Sequence, residues 1–220
     1  YNLLNSGVYY TSYSGINDLK EKNQNVVYYK ESRYGSVVID DFTTEGEKTL
    51  PEQFKKLENY DEVNREFVPY DKTRTLKING RTQCGSGKSD LTTTTLLSAI
   101  PLALHENPKT ALNIGLGCGV TLSALRTYNL DEIDNVEISG VVANGVKYFD
   151  FANNISIEDN VSKLYIIDVN SFLYRNKKKY DIIVSEPPPA WERDATSAFS
   201  KEFLVLLRDH LDNDGLLSQW

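Results

Sequence analysis

The spacing of apolar positions changes along the chain. In the first third, short runs rich in β-branched and aromatic residues stand at 26–30 and 36–40, separated by turn residues, which is typical of strands. Residues 74–80 alternate between apolar and polar and end in Asn-Gly, which predicts a strand followed by a tight turn. We therefore expect a small antiparallel β domain over residues 1–84, with a polar and charged insertion at about 43–72.

From residue 85 onward the pattern has two alternating periods. Predicted helices lie at 91–104, 120–128, 141–149, 171–174 and 200–210, and predicted strands at 111–115, 135–138, 164–168, 180–185 and 215–220. Asp90 is the predicted N-cap of the first helix. Alternating strands and helices favour a parallel sheet with right-handed crossovers and helices on both faces. Residues 85–220 are therefore predicted to form an α/β domain of the Rossmann-like kind.

A glycine-rich loop follows the first strand of this α/β region. Gly115, Gly117 and Gly119 follow the apolar residues 112–114, and Glu137 ends the next apolar run. Such glycines let the backbone approach a ligand, and an acid at this distance accepts hydrogen bonds from ribose hydroxyls. A dinucleotide fingerprint, G-x-G-x-x-G, would need its third glycine at Val120. The spacing therefore favours a nucleoside without a diphosphate, such as S-adenosylmethionine or a relative.

Three consecutive predicted strands end in acidic residues, namely Glu137, Asp168 and Glu186. The carboxyl ends of parallel strands meet at one crevice, where such folds bind ligands. We expect Glu137 to bind ribose hydroxyls and Asp168 to accept a hydrogen bond from an adenine amino group. Neighbouring backbone would read the adenine ring. Glu186 would then lie nearest the reacting end of the ligand.

Composition excludes several classes of protein. The net charge of −7 argues against nonspecific nucleic-acid binding. The sequence has no run of about 18 apolar residues, which is the length needed to span a membrane, and no signal peptide is visible. Cys84 and Cys118 have no metal-ligand spacing and no histidine partner nearby, so we expect two free thiols in a reducing compartment, and no bound metal. The chain contains no methionine and stops at Ser218-Gln219-Trp220, directly after the apolar Leu216-Leu217, as if inside a strand, so we expect a fragment of a longer protein.

These motifs together resemble the spermidine synthase superfamily of polyamine aminopropyltransferases. The resemblance covers about residues 26 to 220, omitting the insertion. The stretches that carry it are Tyr29-Lys30-Glu31-Ser32-Arg33-Tyr34-Gly35-Ser36-Val37, Leu76-Lys77-Ile78-Asn79-Gly80, the loop at 114–119, Val136-Glu137-Ile138-Ser139, Tyr180-Asp181-Ile182-Ile183-Val184-Ser185-Glu186-Pro187 and Phe199-Ser200-Lys201-Glu202-Phe203. Ser185-Glu186-Pro187 followed by Trp191 is similar to a divergent branch of that superfamily.

The resemblance implies a small N-terminal β domain packed on a class I methyltransferase-like domain, whose last strands would lie beyond residue 220. It implies transfer of an aminopropyl group from decarboxylated S-adenosylmethionine to a polyamine-type amine. The resemblance also implies that the carboxylate of Glu186 is catalytic. The positions implied to bind the donor are Gln83, Gly115, Gly117, Cys118, Gly119, Glu137, Ile138, Asp168 and Val169.

The acceptor half of the implied site departs from the family pattern. Cys118 replaces an aspartate inside the glycine loop, and Pro189 replaces the second aspartate of an Asp-x-x-Asp motif. Thr94-Thr95 stand where the family has Tyr-His, although Asp90 is kept. The substrate-side candidates are therefore Asp90, Thr94, Thr95 and Trp191. A buried ammonium group needs acids or aromatic faces around it. The absence of aspartate at positions 118 and 189 therefore removes two charges that would hold the ammonium groups of the donor and the acceptor.

Two other functions stay open on these residues. An S-adenosylmethionine-dependent methyltransferase is favoured by the loss of acid at Cys118, since that donor keeps a carboxylate that an aspartate would repel. A degenerate nucleoside-binding or assembly module is the second alternative, against which the intact Glu137, Asp168 and Glu186 speak. The family's β domain often forms subunit contacts, which allows a homodimer through the Tyr-rich N-terminus; surface strands with no such role are the alternative. The expected localisation is cytoplasmic, and some relatives carry membrane segments outside the catalytic part.

Overall fold

The computed structural model describes residues 25–42, 73–153, 159–188 and 196–220. The predicted insertion at 43–72 lies outside the described residues, as do Pro189 and the substrate-side candidate Trp191. Two separate sheets make up the described part, one of four strands and one of five.

The four-stranded sheet is an antiparallel meander in chain order. Its strands are β1 (Asn25–Ser32), β2 (Gly35–Phe42), β3 (Thr73–Ile78) and β4 (Arg81–Gly85). Asn79 and Gly80 both have positive φ, 51° and 78°, in the turn between β3 and β4. This is the conformation that a two-residue Asn-Gly hairpin turn adopts, because its twist matches that of the strands.

The five-stranded sheet is parallel throughout. Its strands are β5 (Thr110–Ile114), β6 (Glu132–Glu137), β7 (Ser162–Ile166), β8 (Tyr180–Ser185) and β9 (Leu211–Gln219). The spatial order β7-β6-β5-β8-β9 places the first strand in the middle. Successive connections therefore leave β5 in opposite directions, which opens a crevice at its carboxyl end. The predicted Rossmann-like fold class with a small antiparallel N-terminal sheet is confirmed.

The helices cover both faces of the parallel sheet. They are α1 (Lys88–Leu104), α2 (Val120–Arg126), α3 (Gly140–Gly145), α4 (Asp150–Asn153), α5 (Val169–Arg175) and α6 (Lys201–Arg208), with 3-10 turns at Val146–Phe149 and Thr196–Phe199. The prediction that Asp90 caps α1 is wrong. Gly87 is the N-cap, because the amide of Leu91 already donates to its carbonyl at 2.9 Å, and Asp90 lies in the first turn.

A shared apolar cluster joins the two sheets. Val37, Ile39 and Leu76 of the antiparallel sheet pack with Val120 and Phe149 of the α/β part. Burial of these side chains supplies the main attraction between the sheets. The predicted domain boundary between residues 84 and 85 falls at the last residue of β4, and the division into two domains stays a prediction.

Candidate active site

The predicted acids lie in a row along the carboxyl edge of the parallel sheet. Because the strand order is β7-β6-β5-β8, the edge presents Asp168, then Glu137, then the glycine loop after β5, then Glu186. Backbone hydrogen bonds hold this register: the amide of Gly115 donates to Val136 at 2.9 Å, and the amide of Glu186 donates to Ile114 at 3.1 Å. The register therefore places the three acids and the glycine loop side by side along one edge of the sheet.

The glycine loop requires glycine for two separate reasons. Gly115, Gly117 and Gly119 have φ values of 87°, 50° and 80°, a region that side chains with a Cβ rarely adopt. A Cβ at Gly115 would also lie 3.0 Å from the carbonyl oxygen of Glu186. Gly119 is also the N-cap of α2, so the loop leads directly into a helix that lines the crevice.

Glu137 is buried at the end of β6 and organises the loop. Its Oε2 accepts a hydrogen bond from the amide of Leu116 at 2.9 Å, and its Oε1 accepts one from the amide of Ser139 at 2.8 Å. Burial raises the pKa of Glu137 above the ordinary value, while these backbone donors lower it. Each carboxylate oxygen has two lone pairs, so a further acceptor remains for a ribose hydroxyl. The neighbouring Ile138 is exposed at 39%.

Asp168 has a structural role that the sequence analysis did not foresee. It is the N-cap of α5, where its Oδ1 accepts a hydrogen bond from the amide of Ser171 at 2.9 Å. The predicted strand ended at Asp168, whereas β7 ends at Ile166. The cap occupies one carboxylate oxygen and leaves the other to a ligand. Val169 begins the helix beside it.

Glu186 lies directly after β8 and faces a small pocket. Its Oε2 accepts a hydrogen bond from the hydroxyl of Thr121 at 2.9 Å. Burial raises the pKa of Glu186, the nearby Asp90 carboxylate raises it further, and the Thr121 hydroxyl lowers it. Burial likewise raises the pKa of Asp90. Two acids that are costly to ionise therefore share this end of the crevice, which is a frequent property of acid–base sites.

Residues from both sheets line the pocket around Glu186. They are Cys84, Gly85, Thr94, Leu116, Cys118, Val120 and Thr121. Thr94 is buried there, with its hydroxyl donating to the carbonyl of Asp90 at 2.7 Å, whereas Thr95 is exposed on α1 and does not line the pocket. Gln83 is half-buried, one residue before Cys84. Thr121 is a site residue that sequence reasoning missed, because a threonine in a helix carries no signal of its own.

The expectation of two free thiols is wrong. Cys84 and Cys118 form a disulfide that links β4 to the glycine loop, across 34 positions of sequence. The two cysteines carried no pairing signal because one lies in the antiparallel sheet and the other in the loop after β5, and they meet only when the two parts pack together. The disulfide lies in the wall of the pocket that contains Glu186.

The prediction of no bound metal stays a prediction. Within the described ranges, one set of metal-ligand residue types lies together, His105, Asp181 and Asp214, whose ligand atoms fall within 4.8 Å of one another. This set is at the amino end of the strands, away from the crevice. Nδ1 of His105 accepts a hydrogen bond from the amide of Asn107 at 3.3 Å, and its Nε2 lies 3.7 Å from Oδ1 of Asp214.

The fold, with its row of acids beside a glycine loop, defines an α/β domain of the class I methyltransferase kind. Residues 91–219 match the spermine/spermidine synthase domain family. The chain belongs to this family, which confirms the resemblance drawn from the motifs.

Two curated relatives are named polyamine aminopropyltransferases. A polyamine aminopropyltransferase of Methanocaldococcus jannaschii is 31% identical over 126 residues, which are 56% of this chain and 42% of that protein. A polyamine aminopropyltransferase of Erwinia tasmaniensis is 33% identical over 124 residues, which are 55% of this chain and 43% of that protein. The matched part thus spans less than half the length of these relatives.

Solved structures show the same fold. A spermidine synthase in complex with the transition-state analogue AdoDATO superposes with a TM-score of 0.68 at 20% identity, covering 90% of this chain and 58% of that one. The spermidine synthase of Thermotoga maritima gives a TM-score of 0.65 at 21% identity, covering 90% and 57%. Among the helices that the structure describes, none has the length and apolar character needed to cross a bilayer.

Proposed function

We propose that this protein is an aminopropyltransferase, which moves the aminopropyl group of decarboxylated S-adenosylmethionine to an amine of the polyamine type. The observation that carries the proposal is the Glu186 carboxylate, held by Thr121 in a pocket that adjoins the glycine loop and Asp90. The curated relatives are named polyamine aminopropyltransferases, and a similar solved spermidine synthase holds a transition-state analogue.

The row of acids supports one orientation of the donor. Asp168 and Glu137 lie on one side of the glycine loop and Glu186 on the other. The adenine would therefore lie by Asp168 and Val169, and the ribose by Glu137 and Ile138. The sulfonium would lie over the loop formed by Gly115, Gly117, Cys118 and Gly119, with Gln83 on the opposite wall. The reactive carbon would then lie next to Glu186.

The reaction needs little beyond positioning and removal of one proton. The lone pair of the acceptor nitrogen attacks the methylene carbon next to the sulfonium, and the carbon–sulfur bond breaks with its electrons going to sulfur. The products are neutral methylthioadenosine and an aminopropylated ammonium, which loses one proton. Glu186 would orient the attacking nitrogen through the oxygen that Thr121 does not occupy and accept that proton. Its raised pKa brings it closer to that of a useful base at neutral pH.

The remaining candidates belong to the acceptor. Asp90 and Thr94 lie beside Glu186, and an ionised Asp90 would stabilise the far ammonium of a diamine. Thr95 is exposed and Trp191 is outside the described residues, so neither gains support from the geometry. A small-molecule amine is the proposed partner, and a cytoplasmic homodimer is the proposed state. We also propose that the chain divides into a β domain (1–84) and an adenosyl-binding domain (85–220).

A product assay tests the proposal. The protein is incubated with decarboxylated S-adenosylmethionine and each of a panel of diamines, and methylthioadenosine and the aminopropylated amine are quantified by mass spectrometry. The expected result is equal amounts of both products for at least one diamine. Glu186→Gln should reduce the rate by at least about 100-fold, the lower end of the contribution of a general base. Absence of both products with every diamine, while methylthioadenosine still binds, would overturn the proposed transfer.

Methyl transfer is the second candidate, and one observation favours it. Cys118 is part of a disulfide and carries no charge, so the loop has no acid to repel the carboxylate of S-adenosylmethionine. A parallel assay with S-adenosylmethionine and the same amines separates the two. Aminopropyl transfer predicts no S-adenosylhomocysteine, whereas methyl transfer predicts S-adenosylhomocysteine and a methylated amine.

A further inference from the structure

The Cys84–Cys118 disulfide joins two segments that line the pocket. Cys84 lies near the end of β4, directly after Gln83, and Cys118 lies inside the glycine loop. Both side chains are buried, and both line the same pocket as Glu186. The disulfide is therefore part of the wall of the pocket that contains the candidate catalytic carboxylate.

Hydrogen bonds hold the glycine loop at both ends and in the middle. The amide of Gly115 donates to Val136 at 2.9 Å, and the amide of Leu116 donates to Glu137 at 2.9 Å. The carbonyl of Cys118 accepts a hydrogen bond from Asn153 Nδ2 at 2.7 Å. Glycine has more conformational freedom to lose than any other residue, and this loop has three in five positions. The disulfide adds the one covalent constraint between this glycine-rich segment and β4.

We propose that this disulfide is a redox-responsive modification site in the donor pocket: oxidised, it holds the glycine loop against β4, and its reduction releases the loop and weakens nucleoside binding. Two unbonded sulfur atoms cannot lie as close together as two bonded ones, so reduction moves the sulfurs apart and removes the covalent link between the loop and β4. The nucleoside-binding consequence rests on the proposed function, whereas release of the loop does not.

The chemistry is thiol–disulfide exchange with a dithiol. A thiolate of the dithiol attacks one sulfur, the Cys84–Cys118 bond breaks, and a mixed disulfide forms. The second thiol of the dithiol then displaces the remaining cysteine, which leaves two protein thiols and one oxidised dithiol. Because the buried sulfurs are reached through the pocket, a bound nucleoside covers the route of attack. A bound nucleoside therefore hinders reduction of the disulfide, and reduction weakens nucleoside binding.

The test compares three forms of the full chain: oxidised, reduced with dithiothreitol, and the redox-insensitive double variant Cys84→Ser with Cys118→Ser. Alkylation and mass measurement count the free thiols in each form. Calorimetric titration gives the Kd for methylthioadenosine, and hydrogen exchange reports the amides of residues 116–119. The reduced wild-type arm keeps the test valid if the double variant does not fold.

The expected result is a Kd about 5-fold or more weaker after reduction, within the usual range of coupling between two sites, and no effect of dithiothreitol on the double variant. Loop amides should exchange faster in the reduced form. By linkage, saturating nucleoside should shift the disulfide's reduction equilibrium towards oxidised by the same factor.

Three results would overturn the proposal: resistance of the folded protein to reduction, a Kd within about 2-fold in both forms, or unchanged exchange of the loop. If methylthioadenosine binds neither form, the proposed function fails, and loop exchange alone decides the redox site: faster exchange after reduction supports it, and unchanged exchange refutes it.

Discussion

The hydroxyl of Thr121 donates a hydrogen bond to Oε2 of Glu186 at 2.9 Å, and this contact joins the first turn of α2 to the end of β8. Thr121 is buried, and its own carbonyl accepts a hydrogen bond from Ser98 at 3.0 Å. The helix that positions Thr121 begins at Gly119, so the loop that would hold the donor also positions the hydroxyl that orients the base. Donor site and catalytic carboxylate are thus parts of one structural unit.

Replacing Thr121 by valine should lower kcat by about 10-fold or more, because hydrogen bonds to charged groups contribute about 1.5–3 kcal/mol. The ionised form of Glu186 loses a donor, so the acid limb of the pH–rate profile should move to higher pH. Steady-state kinetics across pH measures both. Thr121→Ser is the matched control, which keeps the hydroxyl and should keep the profile. A valine variant with an unmoved acid limb would show that Thr121 does not act through Glu186.

Glu186→Gln should make the protein more stable than wild type at neutral pH while abolishing turnover. Burial raises the pKa of Glu186 in the folded state, so ionisation opposes folding above that pKa and has no effect below the unfolded value of about 4.3. The stability difference should therefore be largest above the raised pKa and shrink as pH falls towards about 4. Urea unfolding at several pH values measures it. A difference independent of pH would contradict this account of Glu186.

Glu137→Gln should weaken methylthioadenosine binding by about 10-fold or more. A glutamine can accept from the amide of Leu116 or of Ser139 but not from both, so one of the two backbone contacts that shape the site is lost. Calorimetry gives the Kd. Glu132→Gln, at the half-buried start of the same strand, is the control and should leave nucleoside affinity unchanged. Equal affinity of Glu137→Gln and wild type would exclude Glu137 from the nucleoside site.

Gly115→Ala should destabilise the protein by about 1–3 kcal/mol, because alanine at φ 87° is strained and its Cβ would press on the Glu186 carbonyl at 3.0 Å. Gly140→Ala is the matched control. Gly140 has no positive φ, and a Cβ there would meet only Ile166 at 3.7 Å, so its stability should be unchanged or slightly raised. Thermal unfolding of both variants tests the difference, and equal melting temperatures would argue against a strained loop at Gly115.

The periodicity of the sequence predicted the fold class because strands and helices bury different faces, and it placed Glu137 and Glu186 at strand ends. It missed features that exist only in three dimensions. The Cys84–Cys118 disulfide spans two sheets, and Thr121 meets Glu186 across 65 positions. The predicted ends of helices and strands were wrong where local hydrogen bonds decide them. Helix α1 begins after Gly87 instead of after Asp90, and β9 begins at Leu211, four residues before the predicted strand at 215–220.

A crystal structure of the oxidised protein soaked with methylthioadenosine would show directly where the nucleoside binds. We predict density along the carboxyl edge of the parallel sheet, with ribose hydroxyls within hydrogen-bond distance of Glu137, adenine beside Asp168, and the sulfur over the glycine loop on the side of Glu186. A nucleoside bound elsewhere, or one whose sulfur points away from Glu186, would contradict this prediction.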